Sequence, residues 1–199
     1  MKKSSLISDQ EGWRTVNTET VYKDKNVEVA KHTVFTPTRQ EQPAQWTVVH
    51  RKAAVVIAPM TPEGKLVLVR QERIPVRAVL WEFPAGQIDE EDSDDERIIR
   101  DAAVRELQEE TGYQMAAGVE MTALGYFFTS QGLTDEHSHL FLAQGVVPSK
   151  AGASHDENEG ITDCREFTVD EFRRMIAEGE INNANTLSAY ARLCARGLV

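Results

Sequence analysis

The sequence predicts an α/β layered fold, in which helices pack on a mixed β-sheet. Two patterns predict it. The continuous apolar run at residues 53–58 is typical of a strand that is buried on both faces. Ile99, Ala103 and Leu107 recur at helical spacing, which indicates an amphipathic helix between strands. With 199 residues, of which 41% are hydrophobic, the chain can form one core of this kind.

The N-terminal part of the chain is predicted to form antiparallel strands. Residues 13–23 and 27–36 carry alternating Val, Thr and Tyr, and the polar residues 24–26 between them indicate a β-hairpin. We expect a polar loop at residues 37–43 and a further strand at residues 45–50.

The middle of the chain is predicted to contain a strand pair and then the first helix. A turn at residues 61–64 leads from the buried strand to its partner strand at residues 66–69. Ser93 and Glu96 have the spacing of a capping box, so we expect the helix to begin near Asp94. Gly112 is suited to end it in the left-handed conformation.

The C-terminal part is predicted to contain strands followed by two helices. Thr168 and Glu171 form a second capping-box signature, which opens a helix that runs to about residue 178. An acidic loop rich in Gly and Ser covers residues 149–160. The remaining predicted elements are strands at 121–129, 137–144 and 161–167 and a final helix at 185–196.

Composition and charge exclude several classes of protein. The chain has 22 Lys and Arg against 32 Asp and Glu, and a net charge of −10 disfavours binding to nucleic acid polymers and to anionic membranes. No apolar run approaches the length of a membrane span. A signal peptide requires an apolar stretch after its basic residues, and we find none after the N-terminal lysines. With Cys164 and Cys194 far apart in sequence, we expect free thiols and a cytoplasmic location.

Three carboxylates converge near the end of the first helix. Glu106 and Glu110 are four residues apart, so they lie on the same helix face, and Glu109 borders that face. Their mutual repulsion is relieved by a hard divalent cation, and Mg²⁺ prefers carboxylate and carbonyl oxygens. The alternative is a solvated acidic helix, because charge runs usually face water. The acidic residues 89–96 lack the spacing and the central Gly of a calcium-binding EF-hand loop.

This stretch resembles the box of the Nudix family. Residues 105–113 read R-E-L-Q-E-E-T-G-Y, and the segment 84–86, Pro-Ala-Gly, matches the usual entry to the box. The first half departs from the family pattern, because five extra residues separate Gly86 from Arg105. Arg97 therefore stands where the pattern has its first Glu, and Glu96 is one place away.

The resemblance implies a fold, a cofactor and roles for residues. It implies an α/β/α sandwich with a mixed sheet for residues 51–199, as the Nudix hydrolase domain, and N-terminal antiparallel strands in residues 1–50, which build a homodimer. It implies Mg²⁺, with Mn²⁺ as the alternative ion, and Arg105 as the residue that orients a carboxylate. The metal ligands that it implies are Glu106, Glu109, Glu110 and the Ala85 carbonyl oxygen.

A second segment indicates the substrate class. Residues 129–136 are similar to the S-P-G-x-[ST]-[DE]-E segment of ADP-ribose pyrophosphatases, which implies substrate contacts from Gly132 and Glu136, although Gln131 replaces the marker proline. Residues 155–160 resemble the catalytic loop of bacterial ADP-ribose pyrophosphatases. There Glu157 is the first candidate for the base that activates water, and Glu159 is the second. A plain turn and a solvated acidic loop are the alternatives for the two segments.

Basic and aromatic residues complete the predicted site. Arg73 follows the strand before the box, and by resemblance its guanidinium reaches phosphate, with Arg51 as the second candidate. Trp46 lies where related enzymes carry an aromatic residue that stacks on the base. Surface arginines and a core tryptophan are the alternatives. For His137 and His139 we expect packing, because a metal site would need a third ligand.

The sequence therefore predicts a Mg²⁺-dependent Nudix pyrophosphohydrolase that acts on a nucleotide sugar. Its leading substrate is ADP-ribose, which would be split into AMP and ribose 5-phosphate. GDP-mannose and other nucleoside diphosphate sugars are the alternative substrates, because Gln131 replaces the marker proline. A non-catalytic Nudix-like domain that binds such a nucleotide and regulates a partner is the alternative of a different class.

Overall fold

The structure is a computed structural model that describes residues 5–88, 94–155 and 159–199. In chain order its strands are β1 (Arg14–Lys23), β2 (Glu28–Thr36), β3 (Arg39–His50), β4 (Ala54–Met60), β5 (Leu66–Arg73), β6 (Ala78–Glu82), β7 (Ala85–Gln87), β8 (Tyr113–Gln114), β9 (Thr122–Phe128), β10 (His137–Gln144), β11 (Val147–Pro148) and β12 (Ile161–Phe167). The α-helices are α1 (Glu96–Thr111), α2 (Val169–Ala177) and α3 (Ala184–Ala195). Short 3₁₀ turns cover Ser5–Ile7 and Ile74–Val76.

The N-terminal strands form a separate antiparallel sheet in the order β1-β2-β3. The predicted hairpin is confirmed, and its turn is fixed by Asp24, whose Oδ1 accepts hydrogen bonds from the backbone N–H groups of Asn26 and Val27 at 2.8 Å each. An aspartate that bonds the backbone two residues on stabilises a tight turn of this kind.

The polar loop expected at residues 37–43 is wrong, because β3 already begins at Arg39. Pro43 is tolerated inside this strand because β3 lies at the edge of its sheet, which is where proline is found in β-sheets. A shift in register between Val34 and Thr36 of β2 accommodates the extra residues of β3.

The central sheet is mixed. Its strands run in the order β12-β5-β4-β10-β9, with β6 added on β5 and β7 added on β4. β10 is parallel to β4, whereas the other pairs are antiparallel. The expected pairing of β4 with β5 is limited to Met60 and Leu66 beside the turn, because β5 forms its long ladders with β12 and β6.

Helices cover both faces of this sheet, which confirms the α/β/α sandwich. On one face α1 packs its apolar stripe, Ile99, Ala103 and Leu107, against Val55 and Ile57 of β4. On the opposite face α2 and α3 pack on the other side of the same strands. That second core includes Val56, Leu68, Leu140, Phe172, Met175, Ala189 and Leu193.

The helix ends follow their capping residues. α1 begins at Glu96, two residues after the expected start near Asp94. Its N-cap is Asp95 and not the predicted Ser93, which lies outside the described residues. Gly112 ends α1 at a φ of 72°, as predicted. The capping box of Thr168 and Glu171 is confirmed at the start of α2.

The described helices are all too short or too polar to cross a membrane. The two cysteines are free thiols: Cys164 is half-buried and Cys194 is exposed. Cys164 lies on β12 and faces the core beneath α1.

Candidate active site

Two buried carboxylates lie at the centre of the candidate site. Glu106 and Glu110 are 5% and 3% exposed, although glutamate is almost never buried to this degree without a partner. They are one turn apart on α1, on the side of the helix that faces the sheet. The apolar stripe that anchors α1 therefore also carries both carboxylates into the protein.

Strand β7 supplies the backbone against which these carboxylates pack. Gly86 lies so close to Glu106 that a Cβ atom at this position would overlap the carboxyl group. The backbone N–H of Ala85 donates a hydrogen bond of 2.9 Å to Oε2 of Glu110. Ala85 and Gly86 of the Pro-Ala-Gly segment therefore lie in direct contact with both acids.

Burial changes the protonation of this pair. Loss of solvation raises the pKa of Glu106 to about 7 and that of Glu110 to about 8. Arg105 opposes the rise for Glu106, and the Ala85 N–H opposes it for Glu110, whereas Glu159 repels both carboxylates and raises both pKa values further. Both carboxyl groups are therefore partly protonated near neutral pH.

Arg105 links two of the predicted metal ligands. Its guanidinium lies 2.8 Å from Oε1 of Glu106 and 2.9 Å from Oε2 of Glu109. The side chain of Glu109 is 36% exposed, so it borders the buried pair from the solvent side. Arg105 therefore bridges the two carboxylates, and its role in orienting a carboxylate stays a prediction.

Glu159 approaches the pair from the loop before β12. Its backbone oxygen accepts a hydrogen bond of 2.8 Å from the Gln71 side chain, and the oxygen of Gly160 accepts one of 2.9 Å from the Glu72 N–H. Its side-chain Oε2 is buried with no hydrogen-bond partner in the described part of the chain. Glu157, the first candidate for the catalytic base, lies outside the described residues.

Arg73 is held by an acid that sequence reasoning missed. Glu82 accepts two hydrogen bonds from its guanidinium, of 3.0 Å from Nε and 2.7 Å from an Nη group. Glu82 is 3% exposed, and Arg73 lies near enough to Glu110 to interact with its charge. The signal available was a lone charged residue in the apolar run before Pro84.

The segment 129–136 brings the other predicted substrate contacts together. Arg51 pairs with Glu136 at 2.8 Å, and the Trp46 indole N–H donates a hydrogen bond of 3.2 Å to the oxygen of Gly132. Trp46 is 59% exposed, so its ring is not a core element. Glu136 and Arg73 line one cavity of about 320 Å³, together with Glu82, Thr129, Asn183, Ala184 and Asn185.

The described residues contain no group of three His, Cys, Asp or Glu side chains already in place to hold a metal ion. The residues present nevertheless fit one. Glu106 and Glu110 are adjacent, their pKa values are raised by burial, and the unpartnered Oε2 of Glu159 is near both. His137 and His139 instead pack on each other and on Phe128 and Tyr126, as expected.

Comparison with known proteins identifies this arrangement. The family model described as the NUDIX domain matches residues 49–190. The chain belongs to the Nudix family, and it is a Nudix hydrolase. A methanol dehydrogenase activator from Bacillus methanolicus is 34% identical over 180 residues, which cover 90% of this chain and 91% of the relative. An ADP-ribose pyrophosphatase from Bacillus subtilis is 29% identical over 178 residues, which cover 89% of each chain.

A solved structure supports the same fold. The crystal structure of an ADP compounds hydrolase superposes with a TM-score of 0.73 and covers 96% of this chain and 99% of its own. Its sequence is 21% identical, so it shows the fold of this Nudix hydrolase. Nudix hydrolases generally use divalent metal ions, in agreement with a paired-carboxylate site.

The altered first half of the Nudix box lies away from the carboxylate pair. Arg97, at the position of the usual first Glu, has an 88% exposed side chain and pairs with Asp95 at 3.1 Å. Glu96 is the first residue of α1 and lines a different cavity, beside Tyr126 and His139. Part of the inserted loop, residues 89–93, lies outside the described residues.

The buried pair makes a prediction about stability and pH. A carboxylate whose folded pKa is raised above its unfolded value stabilises the protein at low pH, and this stability is lost as pH rises through the folded pKa. For Glu106 and Glu110 that loss begins near the ordinary glutamate pKa of 4.5 and is nearly complete at the folded pKa values of about 7 and about 8. We expect the thermal midpoint of chelator-treated protein to fall by roughly 5 °C or more between pH 6 and pH 8.5.

Mg²⁺ should reduce this fall, because a cation favours the ionised carboxylates. The Glu110→Gln variant, which keeps the volume of the side chain but does not ionise, is the matched control and should show a smaller fall. Differential scanning calorimetry at both pH values measures it. An equal thermal midpoint for the metal-free wild-type protein at both pH values would contradict the assigned burial.

Proposed function

We propose that this Nudix hydrolase cleaves the pyrophosphate bond of ADP-ribose, or of a related nucleoside diphosphate sugar, in the presence of Mg²⁺. The products from ADP-ribose are AMP and ribose 5-phosphate. The observation that carries the proposal is the buried pair of Glu106 and Glu110 against β7. The substrate class is supported by the relative named ADP-ribose pyrophosphatase, which matches over nearly all of both chains.

The metal site is proposed on Glu106 and Glu110, with Glu109 and the Ala85 carbonyl oxygen completing it. When bound there, Mg²⁺ supplies neutralisation of the diphosphate charge and polarises the phosphorus that is attacked. Mn²⁺ is the alternative ion, because it accepts the same carboxylate and carbonyl oxygens. Arg105 pairs with both Glu106 and Glu109, so it is placed to fix the orientation of the two carboxylates.

Arg73 is proposed to bind a phosphate oxygen of the substrate. Glu82 engages its Nε and one Nη group, which leaves the other Nη group outside that pair. A guanidinium that is fixed on one side has less freedom to lose when it binds phosphate on the other. Arg73 thus provides positive charge in a protein whose net charge of −10 would otherwise repel the substrate.

Glu159 is proposed as the general base, with Glu157 as the alternative. The attacking water gives its proton to this carboxylate as its oxygen bonds to phosphorus, and the bond from phosphorus to the bridging oxygen breaks. The bridging oxygen leaves with the other phosphate, which completes the two products. This role is supported by Oε2 of Glu159, which is buried and has no hydrogen-bond partner among the described residues.

The nucleoside and sugar are proposed to contact the segment 129–136 and the end of β3. Trp46 offers an exposed ring for stacking on the base, and its indole N–H is hydrogen-bonded to Gly132 of this segment. Arg51 and Glu136 form an ion pair with each other. Gln131 replaces the marker proline of ADP-ribose pyrophosphatases, which keeps GDP-mannose and other nucleotide sugars as alternative substrates.

Regulation of a partner enzyme is the second candidate function. It is favoured by the relative that carries the name methanol dehydrogenase activator and is 34% identical over 90% of this chain. In this form the nucleotide-binding site would serve a regulatory complex, either with or without hydrolysis. Hydrolysis by the purified protein alone separates the two candidates.

The cytoplasm is proposed as the compartment of this protein. Cys164 and Cys194 are free thiols, as is usual where disulfides are kept reduced. Burial raises the pKa of Cys164 to about 11, so this thiol stays protonated and unreactive.

Residues 1–50 are proposed to form the dimerisation part and residues 51–199 the hydrolase domain. All ten residues of β1 are exposed, although the strand carries Val16, Val21 and Tyr22, each more than half exposed. Its outer edge has no partner strand among the described residues, so a second copy of the chain could cover it.

We expect sedimentation equilibrium to give twice the monomer mass of 22.3 kDa, because the proposed assembly is a homodimer. A mass of one chain at every concentration tested would contradict the dimer.

The metal role predicts a specific loss of turnover. We expect Glu110→Gln to lower turnover of ADP-ribose at least about a hundredfold, because it removes a metal ligand without changing side-chain volume. Glu63→Gln, in the exposed turn between β4 and β5, is the matched control and should act like the wild type. The assay supplies Mg²⁺ and an added phosphatase, and it measures phosphate released from the products.

The same assay, run on a panel of nucleotide sugars, identifies the preferred substrate. ADP-ribose should be cleaved fastest, with GDP-mannose as the main competitor. Near wild-type turnover by the folded Glu110→Gln variant would refute the metal role. No hydrolysis of any panel member by the wild type would refute the proposed enzyme activity.

A further inference from the structure

The N-terminal sheet holds the segment 129–136 through the end of β3. The Val49 N–H donates a hydrogen bond of 2.9 Å to the oxygen of Leu133, and the Arg51 N–H donates one of 3.1 Å to Oδ1 of Asp135. Val49 and Thr134 also form an isolated parallel bridge. A segment that carries predicted substrate contacts is therefore positioned by a strand from a different sheet.

A chain of four polar side chains continues this attachment into the N-terminal sheet. Nδ1 of His50 lies 2.5 Å from Oδ2 of Asp135, and Nε2 of His50 lies 2.9 Å from Nε2 of His32. Nδ1 of His32 lies 3.2 Å from the Thr18 hydroxyl. His32 and His50 are 5% and 8% exposed, so these bonds are made largely out of water. The chain crosses β1, β2 and β3 before it reaches the segment 129–136.

With both imidazole rings neutral and Asp135 ionised, the donors and acceptors of each group give every hydrogen bond one direction. An ionised Asp135 can only accept, so His50 must donate from Nδ1. In the neutral ring Nε2 of His50 then accepts from the Nε2–H of His32, and Nδ1 of His32 accepts from the Thr18 hydroxyl. Thr18 and His32 thus select the His50 tautomer that can bind Asp135.

Asp135 precedes Glu136, which lines the same cavity as Arg73 and Glu82. Glu136 forms an ion pair with Arg51. Arg51 is the residue that follows His50 in the chain. The Trp46 indole is bonded to Gly132 of the same segment. Movement of Asp135 would therefore also displace Glu136, its ion-pair partner Arg51, and Gly132, to which the Trp46 indole is bonded.

We propose that His50 is a positioning residue for substrate binding, which acts through Asp135 on Glu136 and Arg51, and that His32 and Thr18 fix its tautomer. The proposal rests on the proposed function for the identity of the substrate, a nucleoside diphosphate sugar. It assigns to the N-terminal sheet a part in substrate affinity within a single chain. His50 has no role in the chemical step, so its effect is on KM rather than on kcat.

Two variants of His50 separate its two hydrogen bonds. In His50→Asn the amide nitrogen takes the place of Nδ1, so the bond to Asp135 is kept and the bond to His32 is lost. In His50→Gln the amide reaches the place of Nε2, so the bond to His32 is kept and Asp135 loses its donor. The two substitutions remove the same ring, which makes each the control for the other.

We expect His50→Gln to raise KM for ADP-ribose at least about tenfold, with kcat changed less than about threefold, because a buried hydrogen bond to a charged group is lost. His50→Asn should raise KM less than about threefold. Hydrogen–deuterium exchange of residues 129–136 should increase in the Gln variant and stay near wild type in the Asn variant. Equal KM values, or an equal rise in exchange for both variants, would overturn the proposal.

Exchange needs no substrate, so it tests the tether even if the wild type hydrolyses no nucleotide sugar and the proposed function fails. If neither His50 variant folds, Thr18→Val and Thr18→Ser replace them. The valine variant removes the donor to His32 and should increase exchange of residues 129–136, while the serine variant keeps the hydroxyl and should not. Identical exchange in the two Thr18 variants would then overturn the proposal.

Discussion

The structure depends on the burial of two acids side by side. Glu106 and Glu110 lie beneath β7, and burial raises the pKa values of both toward or above neutrality. Two bare anions are unfavourable there, so the pair takes up protons or a cation. The absence of a side chain at Gly86 and the N–H of Ala85 are both adapted to this pair. The packing of α1 on the sheet therefore determines the position of the chemistry.

Two arginines of the candidate site are each paired with specific glutamate side chains. Arg105 is fixed by Glu106 and Glu109, and Arg73 is fixed by the buried Glu82. Because the chain has a net charge of −10, its surface as a whole repels a diphosphate, even where single arginines are exposed. Pairing each guanidinium with a specific carboxylate orients it before substrate arrives. The site is thus a set of local pairs rather than a basic surface.

Local patterns predicted the parts of the fold that depend on neighbours in sequence. The apolar stripe of α1, the Gly112 terminus and the capping box of Thr168 are all properties of a few adjacent residues. The start of β3 was missed, because Pro43 reads as a loop unless the strand is known to be at a sheet edge. The short strands β6 and β7 were missed because their pairing with β5 and β4 is set by the sheet.

The same division holds for the site. The spacing of Glu106, Glu109 and Glu110 on one helix is visible in the sequence, and the motif placed Arg105 beside them. Glu82 lies only nine residues from its partner Arg73, and it was missed because it was read as part of an apolar run. His50 was missed because its partner is distant in the chain: His50 and Asp135 are 85 residues apart. No periodicity connects residues that meet only after two sheets have assembled. Chains of buried polar groups of this kind are found from the structure alone.

We propose that a divalent ion takes the place of the protons on Glu106 and Glu110. Isothermal titration of the metal-free protein with Mg²⁺ at pH 7, in buffers of different ionisation enthalpy, counts the protons released on binding. We expect about one proton or more to be released per protein, because both carboxyl groups are partly protonated before the ion binds. Mg²⁺ binding with no proton release would contradict the claim, because the ion would then be held by carboxylates that were already ionised.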